Sequence, residues 1–289
     1  ASRMTELELR QIVDEVLARM GRTPAQETPF DSSLMEEALP DIALEDLRRQ
    51  YLVDDPRDQA AFLAMKERTP ARVGVGHAGA RYKTQTMLRF QADHAAAQAS
   101  VFADVPQEFL DSLHLPVFQS SCADREEFLT RPDKGRVFQP EVLRQIRASI
   151  PGDARVILYV ADGLSSSAVQ ANAADILPVI RKGLEAEGVK TNDPFFVRYG
   201  RVATMEQIGE GLNAEVVCVL LGERPGLVTA RSMSAYIAYR PTVGMLESRR
   251  TVLANIHSGG TPPVEAGAHI VDLIRRMLDT RLSGIELPV

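Results

Sequence analysis

The sequence predicts an α/β fold: a Rossmann-like open parallel sheet in the C-terminal half, preceded by a mainly helical region and an N-terminal amphipathic helix. Beyond about residue 150, short continuous apolar runs alternate with helix-length segments, the pattern of parallel strands covered on both faces. Glycine-bearing turns follow those runs, as at Asp162-Gly163 and Gly222-Glu223. The stretch Asn255–Ala266 compresses a strand end, the turn Gly259-Gly260 and a proline-started helix into one junction. Open α/β sheets place ligands at such junctions.

Taken in order, residues 1–20 read as a separate amphipathic helix. Leu9, Ile12, Val13, Val16, Leu17 and Met20 recur at helical spacing among Glu6, Glu8, Arg10, Asp14 and Glu15, with Thr5 as N-cap and Gly21 as stop. Residues 21–40 are rich in Thr, Pro, Ser and acid and read as a linker. A helix set apart by a linker buries its apolar stripe on its own body or on another protein. Residues 41–150 read as mainly helical, with helices expected over Leu44–Leu52, Gln59–Glu67, Thr84–Phe102 and Pro140–Ile150, the last started by its proline.

From 151 to 289 the pattern is strand and helix in alternation. Arg155–Val160, Phe195–Tyr199 and Glu215–Leu221 are expected strands, and Ser234–Tyr239 and Thr251–Ile256 are two further candidates. Between them fall helices over Ser165–Glu187, with a bend near Pro178, and Thr204–Leu212. The closing helix runs from about Val264 to Leu282, with Thr261 as N-cap and Pro262 as first helical residue.

Bulk composition bounds the function. A formal net charge of −6 argues against a nucleic-acid partner, which demands a basic face. Two cysteines, Cys122 and Cys218, give no disulfide framework and point to a reducing compartment. The chain shows no apolar run of membrane-spanning length and no secretory leader, so a cytoplasmic location is expected.

Gly74-Val75-Gly76-His77-Ala78-Gly79 matches GxGxxG, but the dinucleotide reading needs a strand before it, and Thr69–Val73 is short, polar and interrupted by Pro70. The stretch from Ala71 to Ala92 holds Arg72, Arg81, Lys83 and Arg89 without an acid, which suits an anionic ligand or a solvated positive face. The loops after the three strands gather at one sheet edge. They offer Asp162, Arg201, Glu223 and Arg224, a mix able to contact the amides, phosphate and ribose of a nucleotide-like tail or, for Arg201 and Glu223, to pair internally. Asp162 either accepts a hydrogen bond from a ligand or bonds nearby backbone N–H groups. No HExxH, no GxSxG and no zinc spacing appears. The residues describe a ligand-holding domain, with no catalytic set and no metal site expected.

Several segments, in order, resemble the small (light) subunit of ethanolamine ammonia-lyase. They are Thr84–Phe90 with Asp93-His94, Leu129–Arg136, Asp162–Ser165, Pro194–Val202, Gly222–Leu227 and Asn255–Ala266. The resemblance implies an adenosylcobalamin-dependent lyase that converts ethanolamine to acetaldehyde and ammonia. It implies homolysis of the cobalt–carbon bond, hydrogen abstraction from the substrate carbon bearing oxygen, and migration of the amino group. A large TIM-barrel subunit is implied to bind ethanolamine, with the small subunit packed across the barrel mouth to complete the cobalamin site, in an assembly of six large and six small chains. The family's cobalamin contacts fall on Val202, Glu223 and Val252, with Arg201 nearby; the family carries a cysteine at the Val252 position and an acid at the Arg249 position. No DxHxxG motif precedes any histidine, so base-on cobalamin is expected. The free N-terminal helix resembles peptides that carry cargo into a bacterial microcompartment, which makes its shell proteins candidate partners. Two rivals stand beside this reading: an NAD(P)-dependent oxidoreductase built on Gly74–Gly79, and a non-catalytic nucleotide-binding scaffold subunit.

Overall fold

A computed structural model of the chain describes residue 42 and residues 45–288; the helix expected at residues 1–20 and the linker at residues 21–40 lie outside these. Before the main sheet come helix α1 (Gln59–Lys66), a small antiparallel hairpin of β1 (His77–Ala78) and β2 (Arg81–Tyr82), the long α2 (Thr84–Phe102) and the short α3 (Gln107–Ser112). Then follow β3 (Val117–Gln119), α4 (Arg125–Thr130), α5 (Pro140–Ser149), β4 (Val156–Ala161), α6 (Ser166–Ala186), β5 (Phe195–Arg198), α7 (Thr204–Leu212) and β6 (Val216–Gly222). The chain ends on β7 (Met233–Tyr239), β8 (Thr251–Ile256) and α8 (Pro263–Thr280).

The main sheet has the order β3-β5-β4-β6-β7-β8. The first four strands are parallel, while β7 is antiparallel to both β6 and β8. The expected parallel sheet is thus mainly, not wholly, parallel. β4 occupies its centre because both its faces are apolar: every residue from Val156 to Ala161 is buried. Val156, Leu158 and Val160 meet Ile176 and Ile180 of α6 and Ile270 and Ile274 of α8. Ile157, Tyr159 and Ala161 face the other way, toward Ile146 of α5 and Met205 and Ile208 of α7. This period-two division between two helical layers makes a continuous apolar run adopt a buried strand. The chain leaves β4 for β5 on one side and returns past it to β6 on the other, so the switch of direction lies at the C-terminal ends of β4 and β6, where such sheets open a crevice.

Two expectations are corrected, and two elements appear that were not expected. Of the segment Leu44–Leu52, expected as a helix, the described residues 45–52 form a turn over Leu47–Arg49. There the Asp46 carboxylate accepts from the Arg48 N–H (3.0 Å), a local bond that competes with helix formation. The closing helix starts at Pro263, not Pro262; the N–H of Thr261 donates to Asn255 O (2.9 Å), which holds Thr261 in the preceding turn. β3 and the β1–β2 hairpin were not expected. Gly74, Gly76 and Gly79 all have positive φ, but Gly74 and Gly76 lead into the hairpin, Gly79 lies in its turn, and among the described residues no strand precedes Gly74. The geometry a GxGxxG motif needs is therefore not built here. Asp93, in α2, pairs with Arg72 (2.5 Å) and Arg89 (3.0 Å).

Most of α2 stands clear of the core: only Asp93, Ala97 and Ser100 are buried, and Met87, Leu88, Phe90 and Phe102 are exposed. No helix among the described residues is long and apolar enough to cross a membrane.

Candidate functional site

The loops that follow β4, β5 and β6 meet at the C-terminal edge of the sheet. The β4 and β6 loops touch backbone to backbone. Gly163 has φ +56°, and a Cβ there would lie 2.4 Å from Gly222 O; a Cβ on Gly222 would lie 2.3 Å from Ser165 O. Leu164 N donates to Gly222 O (3.0 Å), and Ser165 caps α6 through Ala168 N (3.1 Å). No side chain fits between the two loops, which is why both turns use glycine.

Asp162 lies beneath this junction, fully buried. One carboxylate oxygen accepts from Arg125 Nη2 (2.8 Å) and the other from Gly200 N (3.2 Å). Arg125 also bonds Asp104 (2.9 Å) and lies over the rings of Phe128 (5.3 Å) and Tyr199 (5.0 Å). Burial pushes the Asp162 carboxyl up to about 6, against the pull of Arg125. The carboxylate therefore anchors internal donors, the second of its two sequence-level readings. Tyr199, expected to end β5, leaves the strand with φ +57°; this turn aims the next amide, Gly200 N–H, at Asp162.

Arg201 follows. Its N–H donates to Gly135 O (2.8 Å), its Nη2 donates to Phe128 O (2.7 Å), and its guanidinium lies 4.4 Å from the Phe128 ring centre. Val202 begins the turn into α7 and packs, half-buried, on the α7 side of the sheet. Leu221 and Tyr236 line the same side.

Glu223 leaves the end of β6 with its N–H bonded to Ser232 O (2.9 Å). Its Oε1 accepts from Ser234 Oγ (2.5 Å) and from the N–H of Asn255 (2.8 Å). Burial acts to raise this carboxyl, but the hydrogen bonds and nearby His257 outweigh it and hold it below its ordinary value. Arg201 and Glu223 do not form the internal pair considered from sequence; each is engaged elsewhere. Val252 is the second residue of β8, opposite Tyr236 of β7, and is 46% exposed. Val202, Glu223 and Val252 thus belong to the β5, β6 and β8 parts of the sheet, while Asp162 and Arg201 lie toward β4 and β5.

The junction Asn255–Ala266 closes on itself. Asn255 has φ +62°, and a Cβ on Gly260 would lie 2.4 Å from Asn255 O. His257 Nδ1 lies 3.1 Å from Gly259 N and its Nε2 lies 2.8 Å from Asn255 Oδ1. This turn presents the Asn255 N–H to Glu223. Sequence reasoning missed Arg125 and Phe128. Nothing local marks Arg125, at the start of α4, as the partner of a carboxylate 37 residues ahead.

Comparison with known proteins places this architecture. Residues 59–288 match the family model of the ethanolamine ammonia-lyase light chain. An ethanolamine ammonia-lyase small subunit of Clostridium tetani is 51% identical over 291 residues, covering 98% of this chain and 99% of that protein. Small subunits of Listeria innocua and Clostridioides difficile are 49% and 47% identical, each covering 98% of this chain and all of the relative. With the match running nearly end to end and every candidate site residue inside it, the chain belongs to the ethanolamine ammonia-lyase light-chain family.

Proposed function

We propose that this chain is the cofactor-facing subunit of an adenosylcobalamin-dependent enzyme that converts ethanolamine to acetaldehyde and ammonia, working against a large TIM-barrel subunit in an assembly of six large and six small chains. The observation that carries this reading is a face that joins half-exposed apolar side chains to one fixed, ionised carboxylate. A corrin rim carries methyl groups and amide-bearing side chains. Val202, Tyr236 and Val252 offer apolar contact, and the Glu223 carboxylate, fixed through Oε1, offers an acceptor for an amide N–H. Valine in place of the family's cysteine at residue 252 suits packing by its methyls. Asp162, through Arg125 and Gly200, fixes the loops behind that face, and Arg201 adjoins Val202.

When bound, adenosylcobalamin supplies the radical that starts the rearrangement. This chain's residues bind, orient and exclude water. Glu223, held below the ordinary carboxyl value, carries no proton at neutral pH and serves as an acceptor, not as an acid. The exposed apolar residues of α2 supply further surface for a neighbouring chain.

Reconstitution tests the reading. This chain with its large partner and adenosylcobalamin is expected to release ammonia from ethanolamine, and neither chain alone. NAD(P) binding by the isolated chain would favour the oxidoreductase; full activity from the large chain alone would leave a scaffold. The cofactor is expected base-on, so the EPR spectrum of its Co(II) form shows nitrogen splitting from dimethylbenzimidazole; splitting from a protein histidine refutes this. Deleting residues 1–20 is expected to leave activity intact and abolish co-purification with microcompartment shell proteins. Retained co-purification removes the targeting role.

A further inference from the structure

The acid-free basic stretch of residues 71–92 has no part in the proposed chemistry, and two of its arginines share one anion. Asp93, just past the stretch, pairs with Arg72 (2.5 Å) and Arg89 (3.0 Å). With Ala97 and Ser100 it makes up the buried part of α2, and the spacing 93, 97, 100 puts the three on one helical stripe. That stripe is tied to the β6–β7 loop at two points. At the stem of the loop, the Ser100 hydroxyl hydrogen-bonds with those of Ser165 (2.8 Å) and Ser167, and both of these donate to Ala230 O. At the tip, Arg72 Nη2 bridges Asp93 and Leu227 O (2.7 Å), 155 positions further along the chain.

The tip, residues 224–229, has little else to hold it. The Gly226 N–H donates to Thr229 O (3.1 Å), which closes the tip on itself, and Val228 is exposed. Among the described residues, no other hydrogen bond joins the tip to anything beyond its own loop. A guanidinium seated on a carboxylate is a strong donor to a carbonyl, and Arg72 also lies over the Phe90 ring at 5.5 Å. We propose that Arg72 is a positioning residue: anchored on Asp93, it latches the tip of the loop that Glu223 begins, so that the loop meets the corrinoid already ordered. This role rests on the cofactor reading above. A loop ordered in advance loses less freedom on binding, and apparent affinity follows the fraction of molecules that hold the competent form.

Arg72→Gln removes the bridge and leaves Asp93 paired with Arg89, so no buried carboxylate is stranded. In the assembled complex without corrinoid, amide hydrogen exchange is expected to speed up over residues 224–231 and to keep the parent's rate in β4 and β6. Equilibrium dialysis is expected to show cyanocobalamin bound roughly threefold to thirtyfold more weakly. The KM for adenosylcobalamin rises by a like factor, with kcat at saturating cofactor unchanged. Arg72→Lys, which keeps the charge, is expected to recover part of both the protection and the affinity. Unchanged exchange over 224–231, faster exchange spread through β4 and β6, freer exchange with unchanged affinity, or a fall in kcat at unchanged KM each overturns the latch. Weaker assembly of Arg72→Gln with the large chain before any corrinoid is added assigns Arg72 to the subunit interface and likewise overturns it. Glu223→Ala, measured beside these variants, separates the failures. If it weakens cyanocobalamin binding while the Arg72 variants do not, the cofactor reading stands without the latch; if no variant moves the affinity, both fall.

Discussion

Arg125→Met is expected to destabilise the chain by about 3–5 kcal/mol near pH 8, because it leaves the fully buried Asp162 carboxylate without its counter-ion. The loss is pH-dependent, and the sign follows from the direction in which burial moves Asp162. Its folded carboxyl titrates at about 6, above its ordinary 3.8, so between those values the folded chain holds a proton that the unfolded chain has lost. Its contribution to stability is full below the unfolded range and falls away as pH rises through about 6. Removing Arg125 removes the main opposing pull and moves that titration higher still. The variant therefore loses most near pH 8 and regains part of the loss near pH 5, where Asp162 is neutral. What remains there reflects the lost bonds to Asp104 and to the carbonyls of Ala103 and Gly163. Urea midpoints of the variant and the parent at the two pH values measure this. Adding Asp162→Asn to the variant is expected to restore stability near pH 8 by removing the unpaired charge. Equal losses at both pH values, with no rescue, would mean that Asp162 is not ionised in the parent fold.

The same pair shows where sequence reading stops. β4 and β6 were legible because both their faces are buried, so their apolar runs have no polar interruption. Thr84–Phe102, Thr204–Leu212 and Thr251–Ile256 were placed residue for residue, since local signals mark their ends; Asn213, just past α7, takes the left-handed conformation that stops the helix. β3 was not legible: its three residues carry no period, and they become a strand only because β5 lies beside them. The edge where the site loops gather followed from the order of strands and helices. The ties that fix the side chains there did not. Arg125 reaches Asp162 across 37 positions and Glu223 reaches Asn255 across 32, and separations of that kind are settled by topology, not by local pattern. Asp162, which in the sequence suited a ligand and internal N–H donors equally, bonds Arg125 and Gly200 in the structure.

Glu223→Ala is expected to weaken cobalamin binding by about 1–3 kcal/mol, the cost of losing a half-buried polar contact made by a charged group. That corresponds to roughly 5- to 150-fold in dissociation constant, with activity at limiting cofactor falling in step. The carboxylate has two jobs, and a pair of variants separates them. Through Oε1 it joins the start of the β6 loop to β8 by way of Asn255 N–H and Ser234 Oγ. In the proposed function its other oxygen accepts from the cofactor. Glu223→Gln keeps an oxygen for the internal bonds while removing the charge, so its unfolding midpoint is expected to stay near the parent's while cofactor affinity drops; Glu223→Ala loses both. Because the folded carboxyl lies below its ordinary value, its stabilising contribution is present above the unfolded carboxyl range and is lost only as pH falls through the folded value. Affinity is accordingly expected to be flat, as far as this group governs it, between about pH 6 and 8. Equilibrium dialysis with cyanocobalamin on the assembled complex, read beside thermal melts of the same variants, decides the matter. A loss of stability with unchanged affinity in both variants would make Glu223 a brace between two strands and take it out of the cofactor surface.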